Sequence, residues 1–411
     1  MVRGPRLGMG HAKGLMRQAG ALLSLCLTLL STPLYAQEQQ ATTWRTALEL
    51  SQSGANAQAL PLLEKLVSQE PGNNYFRFEL ALALFRLEKD IRARFHLERL
   101  LGAKLTAAER GMVLRVIATI DARRLWSVYF SFNLKPETNG TKQTQGSELV
   151  LGGYALTLDD EAIGKATTSA IVTTGVTYAP KITDRVKAQL TLGAYLKHAS
   201  EERLRDYQLT ARAGLSFVPD PLRYWDGGIS VATRHAGGAH YSDTFGFYGN
   251  HARRIGAAGT LRFGAQVTRA WGRNGAADID RSFVHASYTY AIGGNASVTA
   301  GGFYEDNASM RRHLDGQRRG ISLSGTYVFK GGLSTSLTLR GEMDNRTGVN
   351  QVFGVARQDR KLAAELTVHH RDFRIGSFAP QIQFGIERNR SNIPLADFTN
   401  RSVSFSLTKK F

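Results

Sequence analysis

Residues 321–340 read ISLSGTYVFKGGLSTSLTLR. Ile321, Leu323, Gly325, Tyr327 and Phe329 alternate with Ser322, Ser324, Thr326 and Val328. After Lys330-Gly331-Gly332 the rhythm resumes, with Leu333, Thr335, Leu337 and Leu339 alternating with Ser334, Ser336, Thr338 and Arg340. A period of two sends the bulky apolar side chains to one face of an extended strand and the small or polar ones to the other, and a glycine pair between two such runs signals a tight hairpin turn.

The same rhythm runs outward from this hairpin in both directions. Leu190, Leu192 and Leu196 alternate with Gln189, Thr191 and Gly193, and Leu209, Ala211, Ala213, Leu215 and Phe217 with Thr210, Arg212, Gly214 and Ser216. Leu261, Phe263 and Val267 alternate with Arg262, Gly264 and Thr268, and Ile382, Phe384 and Ile386 with Gln383, Gly385 and Glu387. The pattern predicts fourteen strands, at 126–134, 168–179, 185–196, 206–217, 226–236, 243–252, 258–269, 281–291, 296–306, 318–330, 332–344, 358–371, 378–389 and 401–411.

A soluble antiparallel sheet also alternates. Three features point instead to a transmembrane barrel. The segments exceed the ~5–6 residues usual in soluble sheets. They run to the last residue with no helix to cover them, and aromatics (Trp126, Tyr178, Tyr224, Trp225, Trp271, Phe411 among them) sit at strand ends, as in interfacial girdles. Fourteen is an even number, so an antiparallel sheet can close, and closure leaves no strand edge unpaired in lipid. Lys187, Arg212, Arg262, Arg340, Glu365 and Glu387 fall in the inward register. Short connections at 181–184 and 330–332 are expected on the periplasmic side, and longer polar segments at 135–167, 270–280, 307–317 and 345–357 on the other.

The amino-terminal part follows other rules. Arg3, Arg6, Lys13 and Arg17 precede the apolar run Ala19–Leu30, and Ala36 is followed by polar Gln37-Glu38. This is the pattern of a secretory signal peptide spanning 1–36, too short in its apolar core to serve as a membrane helix. Its removal takes away the only cysteine, Cys26, and leaves 48 basic against 34 acidic residues, a charge of +14.

Residues 37–121 show helical spacing in Leu60, Leu63 and Val67, in Leu80, Leu84 and Leu87, and in Leu97, Leu100 and Leu101, broken at Pro71-Gly72-Asn73-Asn74. Ala59, Leu63, Glu64 and Leu66 recur 34 residues later as Ala93, Leu97, Glu98 and Leu100. Thirty-four is the period of the tetratricopeptide repeat. The reading is therefore a signal peptide, a periplasmic tetratricopeptide-like helical domain over 37–121, and an outer-membrane barrel over 122–411.

Catalytic and metal chemistry find little support in the sequence. His198/Ser200 and His285/Ser287 lie two apart on strands, but no third residue can be assigned to orient either pair. His369 and His370 point to opposite faces, Asp278-Ile-Asp280 lacks the further ligands of a calcium loop, and His96 has no second ligand at helical spacing. No Walker-type lysine loop is present. The expectation is no enzyme, no cofactor and no metal. The basic residues look scattered, in no stripe with stacking aromatics, so nucleic acid is not an expected partner. The charge suits anionic lipopolysaccharide outside or an acidic client in the lumen.

Three stretches carry a family resemblance: Trp126 followed by Pro136-Glu137-Thr138-Asn139; Tyr154 to Asp160; and Arg388-Asn389-Arg390-Ser391-Asn392-Ile393-Pro394 with Asp397-Phe398 and the closing strand to Phe411. In them the chain resembles the Slam family, the surface lipoprotein assembly modulators. It departs from that pattern at Gly140-Thr141, where Ile-Asn is usual, and at Leu395-Ala396.

The resemblance implies a translocator that delivers specific surface lipoproteins or secreted proteins across the outer membrane. Its implied partners are that client, periplasmic chaperones, the barrel-assembly machinery, and outer-membrane lipid with lipopolysaccharide. The family-motif positions are Trp126, Pro136, Asn139, Asn389, Ser391, Asn392 and Phe411. A polysaccharide exporter that joins longer repeat arrays to a barrel, and a passive porin or adhesin, are the alternative readings.

Overall fold

The computed structural model describes residues 38–103, 105–123, 125–370, 373, 375 and 378–410. The expected leader and Phe411 lie outside the described residues. Five helices come first: α1 (38–52), α2 (Asn56–Gln69), α3 (Asn74–Arg86), α4 (Asp90–Leu100) and α5 (Ala107–Arg123). Local chemistry sets their ends. At the expected break, the Asn73 side chain accepts hydrogen bonds from the Tyr75 and Phe76 amides at 3.1 and 3.3 Å, capping α3. Thr106 and Glu109 form a reciprocal capping box ahead of α5, with Glu109 Oε2 accepting from the Thr106 amide at 2.8 Å and Thr106 Oγ1 from the Glu109 amide at 3.3 Å. The Thr106 amide and hydroxyl, both donating to its carboxylate, hold the exposed Glu109 below its ordinary pKa.

The 34-residue repeat has a packing counterpart. Ala59, Leu63 and Leu66 on α2 and Ala93, Leu97 and Leu100 on α4 are all at most 1% exposed, and they form one core with Leu80, Ala83 and Leu84 of α3. Small residues at the first repeat position let neighbouring helices come close. Among the described residues, no helix is long and apolar enough to cross a membrane.

From Trp126 the chain is almost wholly strand. The strands are β1 (Trp126–Glu137), β2 (Glu148–Leu151), β3 (Tyr154–Thr157), β4 (Thr167–Tyr178), β5 (Val186–Ala199), β6 (Asp206–Asp220), β7 (Arg223–Ala236), β8 (Ala239–Ile255), β9 (Gly259–Gly272), β10 (Ile279–Ile292), β11 (Ala296–Ala308), β12 (Gly316–Val328), β13 (Leu333–Asn350), β14 (Val355–His370), β15 (Ala379–Ser391) and β16 (Phe398–Lys410). β1 and β4–β16 form a closed barrel of fourteen antiparallel strands, in chain order, with β1 paired to β16 across the closing seam. β2 and β3 form a separate hairpin within the first loop.

Each of the fourteen expected strands is present. The quoted stretch forms the β12–β13 hairpin, with Gly331 and Gly332 at φ +90° and +93°, a backbone conformation in which a Cβ would be strained. The apolar register faces outward: Leu192, Phe247, Ile321 and Leu362 are each more than half exposed, as lipid-facing side chains are.

Two details differ from the sequence reading. Strands run to 18 residues in β13, so the expected loops at 270–280, 307–317 and 345–357 shrink to 273–278, 309–315 and 351–354. Polar residues beyond the apolar band keep the ladder going, because backbone pairing does not require lipid. Tyr224 is also no girdle residue. Trp225 takes the outward position, which turns Tyr224 into the lumen, where Gln189 Nε2 donates to its hydroxyl at 2.9 Å.

The helices sit against the end of the barrel that carries the short turns. Arg110 donates to the Ala257 carbonyl at 2.7 Å, Arg99 to the Gly294 carbonyl at 3.5 Å, and the Gly331 amide to the Ser68 carbonyl at 2.8 Å. Gly102 makes this seat close: a Cβ there would lie 2.5 Å from Ala291 Cβ and 2.9 Å from the Gly293 carbonyl. Gly102→Leu is therefore expected to lift the helices from the turns at an overpacking cost of about 1–3 kcal/mol. Hydrogen exchange should register this as roughly tenfold faster exchange at the Gly331 amide, with the outer strands unchanged. Unchanged Gly331 exchange would show that Gly102 does not set the fit.

Candidate functional site

Two features of the lumen stand out, one at each end. At the turn end, a cavity of about 990 Å³ lies between α4–α5 and the barrel mouth. Arg94, Glu98 and Arg99 line it from the helices, and Lys187, Gln189, Tyr224 and Arg262 from inward positions on β5, β7 and β9, so the cavity opens into the lumen. Its lining holds nine basic residues and three acidic ones.

Two of the acids already have cationic company. Glu98 lies 3.0 Å from Arg94 Nε and 3.8 Å from Arg254, and Asp220 lies 2.6 Å from Arg223. Burial pushes the Arg99 guanidinium below its ordinary pKa. It stays cationic, and Phe95 faces it at 4.7 Å.

Here the structure corrects the sequence reading of a scattered charge. Arg185, Arg223, Arg254 and Arg262 stand far apart along the chain, yet they line this one chamber, because successive hairpins return to the same barrel end. The residues in between carry no periodic basic signal, so the cluster becomes visible only when the barrel is closed.

The opposite, loop end holds most of the family-motif positions. Pro136 and Asn139 come from the end of β1 and its loop, and Asn389, Ser391 and Asn392 from the end of β15 and the 392–397 loop. The two loops meet where the Thr144 amide donates to the Leu395 carbonyl at 3.1 Å. The buried Asn389 donates to the Ala396 carbonyl at 2.8 Å, Ser391 Oγ accepts from the Ile393 amide at 3.1 Å, and Asn392 holds the Gln358 amide and the Ala356 carbonyl at 2.7 Å each. These are loop-shaping bonds made by side chain to backbone.

Gly140, one of the departures from the family pattern, has a local cause. A Cβ there would overlap the Thr167 hydroxyl. Trp126 stands at the other end of β1, packed on Tyr178 at a 4.4 Å centroid distance. Eleven residue steps of extended strand carry the chain from it to Glu137, about 36 Å.

Pro136 sits at a weak point in the seam. The Thr138 amide donates to the Arg401 carbonyl of β16 at 2.9 Å. Alternate amides of a strand face the same neighbour, so the preceding donor toward β16 belongs to position 136, where proline has none. The β1–β16 register accordingly runs to Leu134↔Phe405 and resumes at Glu137↔Ser402.

A buried polar group closes the gap. Asn400 Nδ2 donates to Glu137 Oε1 at 2.8 Å, Lys135 Nζ lies 3.0 Å from the same oxygen, and the Asn139 amide donates to Asn400 Oδ1 at 3.0 Å. Glu137, Asn139 and Asn400 are all at most 7% exposed. Sequence reading passed over Asn400; an inward asparagine on the last strand, two residues from Ser402, the register partner of Glu137, is the signal that finds it. Nearby, Lys142 reaches into the lumen to Glu387 at 2.8 Å.

The remaining candidates are dispersed. His96 is buried against Arg77, 3.5 Å away. His198 meets the Tyr207 hydroxyl at 2.9 Å, and His285 packs beside Phe283. Among the described residues, no three His, Cys, Asp or Glu side chains are grouped to hold a metal ion.

This fold, apolar outside and polar within, defines a membrane-spanning β-barrel joined to a helical domain. A family model for the surface lipoprotein assembly modifiers matches residues 194–411, and the chain belongs to that family. The Surface lipoprotein assembly modifier 1 of Haemophilus influenzae is 21% identical over 428 residues, covering 98% of this chain and 84% of that protein. The Surface lipoprotein assembly modifier of Moraxella catarrhalis is 21% identical over 384 residues, covering 90% and 72%. Among solved structures, a Pseudomonas aeruginosa FadL homologue is similar at a TM-score of 0.43 and 9% identity, covering 72% of this chain and 91% of its own. The outer membrane channel DcaP of Acinetobacter baumannii gives 0.42 and 8%, covering 70% and 96%. The protein is thus a β-barrel member of the surface lipoprotein assembly modifier family.

Proposed function

We propose that the chain moves specific lipoproteins, or soluble secreted proteins, across the outer membrane. The leader over 1–36 exports it, the barrel-assembly machinery inserts residues 122–411, and the helices of 37–121 lie in the periplasm. There they receive the client from a chaperone, and the lumen supplies the passage. Lipid surrounds the apolar girdle, and lipopolysaccharide meets the loop end. The family match supports the role in surface assembly. The observation that carries the transport step is the chamber that joins the docked helices to the lumen. The seam is stapled by buried polar groups at the loop end, which favours passage along the lumen over exit through the wall.

The test is surface proteomics by proteinase shaving, with and without the gene. One or a few proteins are expected to lose surface accessibility in the deletion strain and to accumulate in the periplasm. Loss of a polysaccharide instead would favour an exporter of that class. An unchanged surface proteome with altered small-solute permeability would favour a porin.

A further inference from the structure

We infer that the chamber between the helices and the barrel mouth is a docking site for an acidic, extended polypeptide segment of the client. The inference rests on the transport reading and adds the chemistry by which the client is first held. Charge complementarity carries it. Nine basic side chains face three acidic ones around about 990 Å³, so the chamber holds a surplus of positive charge under low-dielectric walls, where fields focus.

The rest of the lumen is different. Toward the loop end its charges come as pairs of opposite sign: Arg346 with Asp344 at 2.8 Å, Arg357 with Asp359 at 2.6 Å, and Lys142 with Glu387 at 2.8 Å. At the helix end, by contrast, basic residues outnumber acidic ones three to one around a single chamber. Arg185 projects from the 179–185 turn and Arg262 from the lumen face of β9, so the positive wall continues from the helices into the barrel. Such a gradient attracts a negatively charged chain at the mouth and does not hold it along the bore. The apolar neighbours Phe95, Ile117, Leu125 and Val218 suit a polypeptide, whose acidic residues are spaced by apolar ones. A uniformly charged polysaccharide would leave that surface unused.

The experiment uses the full chain in detergent and a fluorescent synthetic peptide of alternating Glu and Ala, with its Lys–Ala counterpart and polygalacturonate as comparisons. The acidic peptide is expected to bind and the basic one not. Raising salt from about 0.1 M to about 1 M, which shortens the Debye length from about 10 Å to about 3 Å, should release it. The double variant Arg185→Glu/Arg262→Glu should bind it about tenfold more weakly or worse. A heat-dependent gel shift like that of the unmodified chain shows that this variant still forms its barrel.

Equal binding of both peptides, a double variant that binds as well as the unmodified chain, or tighter binding of polygalacturonate would overturn the inference. In cells, the double variant should place less client on the surface. If it loses the peptide yet delivers client normally, the docking inference falls and the transport reading stands. If deleting the whole gene leaves the surface proteome intact, the transport reading itself falls.

Discussion

Replacing Asn400 by leucine is expected to loosen the barrel where it closes. Asn400 bridges two buried partners, the Glu137 carboxylate at 2.8 Å and the Asn139 amide at 3.0 Å, next to the rung that Pro136 removes. The leucine satisfies neither. Leaving a buried polar group unpaired costs about 1–3 kcal/mol, so two stranded groups amount to roughly 2–6 kcal/mol. Lys135 still faces Glu137 and keeps the loss from being larger.

The readout is the temperature at which the folded band gives way to the unfolded one in a detergent gel, which should fall clearly. The double variant Glu137→Leu/Asn400→Leu removes both members of the bridge, leaving the Asn139 amide unpaired and the part-exposed Lys135 to water. It should recover part of the loss, because replacing both partners by apolar groups is cheaper than removing one. If Asn400→Leu melts like the unmodified chain, the polar staple contributes nothing and the seam is held by its ladder alone.

The second large effect belongs to the helices. Leu84 is fully buried at the centre of the core shared by α2, α3 and α4. Leu84→Asp forfeits about 1.5–3 kcal/mol of apolar burial and places a carboxylate where no partner awaits it, a further cost of several kcal/mol. A small helical domain holds no more than about 5–15 kcal/mol in total, and one of this size sits near the bottom of that range.

The expected result is unfolding of the helical domain alone. Limited trypsin digestion should trim the amino-terminal part and leave the barrel intact, since the barrel ladder closes without it. Under the proposed transport role, client delivery to the surface should fall in parallel. Barrel collapse in this variant would mean that the helices are structural supports for the mouth.

The barrel was legible because its physics is written at a period of two. Each lipid-facing position on β5, β9 and β12 must be apolar whatever the protein does, so Leu190, Phe263 and Ile321 betray the register without any knowledge of function. Strand ends were less legible. Beyond the bilayer, the polar residues of β13 from Asp344 to Asn350 continue the ladder under no hydrophobic constraint.

The inward faces of Lys187, Arg212 and Arg262 followed from the same parity. What parity does not carry is distance around the barrel. Arg185, Arg223 and Arg254 belong to three different hairpins, and no local spacing announces that they share a chamber with Arg99 of α4. The seam group was half legible. Pro136, Asn139 and Asn389 were noticed through resemblance, whereas the Glu137–Asn400 bond joins residues at the two extremes of the barrel sequence.

The seat of the helical domain has a consequence for the order of events during biogenesis. The amino-terminal helices are synthesised first. The carbonyls and amides they grip, at Ala257, Gly294 and Gly331, belong to hairpins formed from β8, the sixth barrel strand, onward. The oldest part of the chain must therefore wait for the cylinder to grow as far as the β12–β13 hairpin before it can settle fully, so a fully seated domain is itself a mark that most of the barrel has formed.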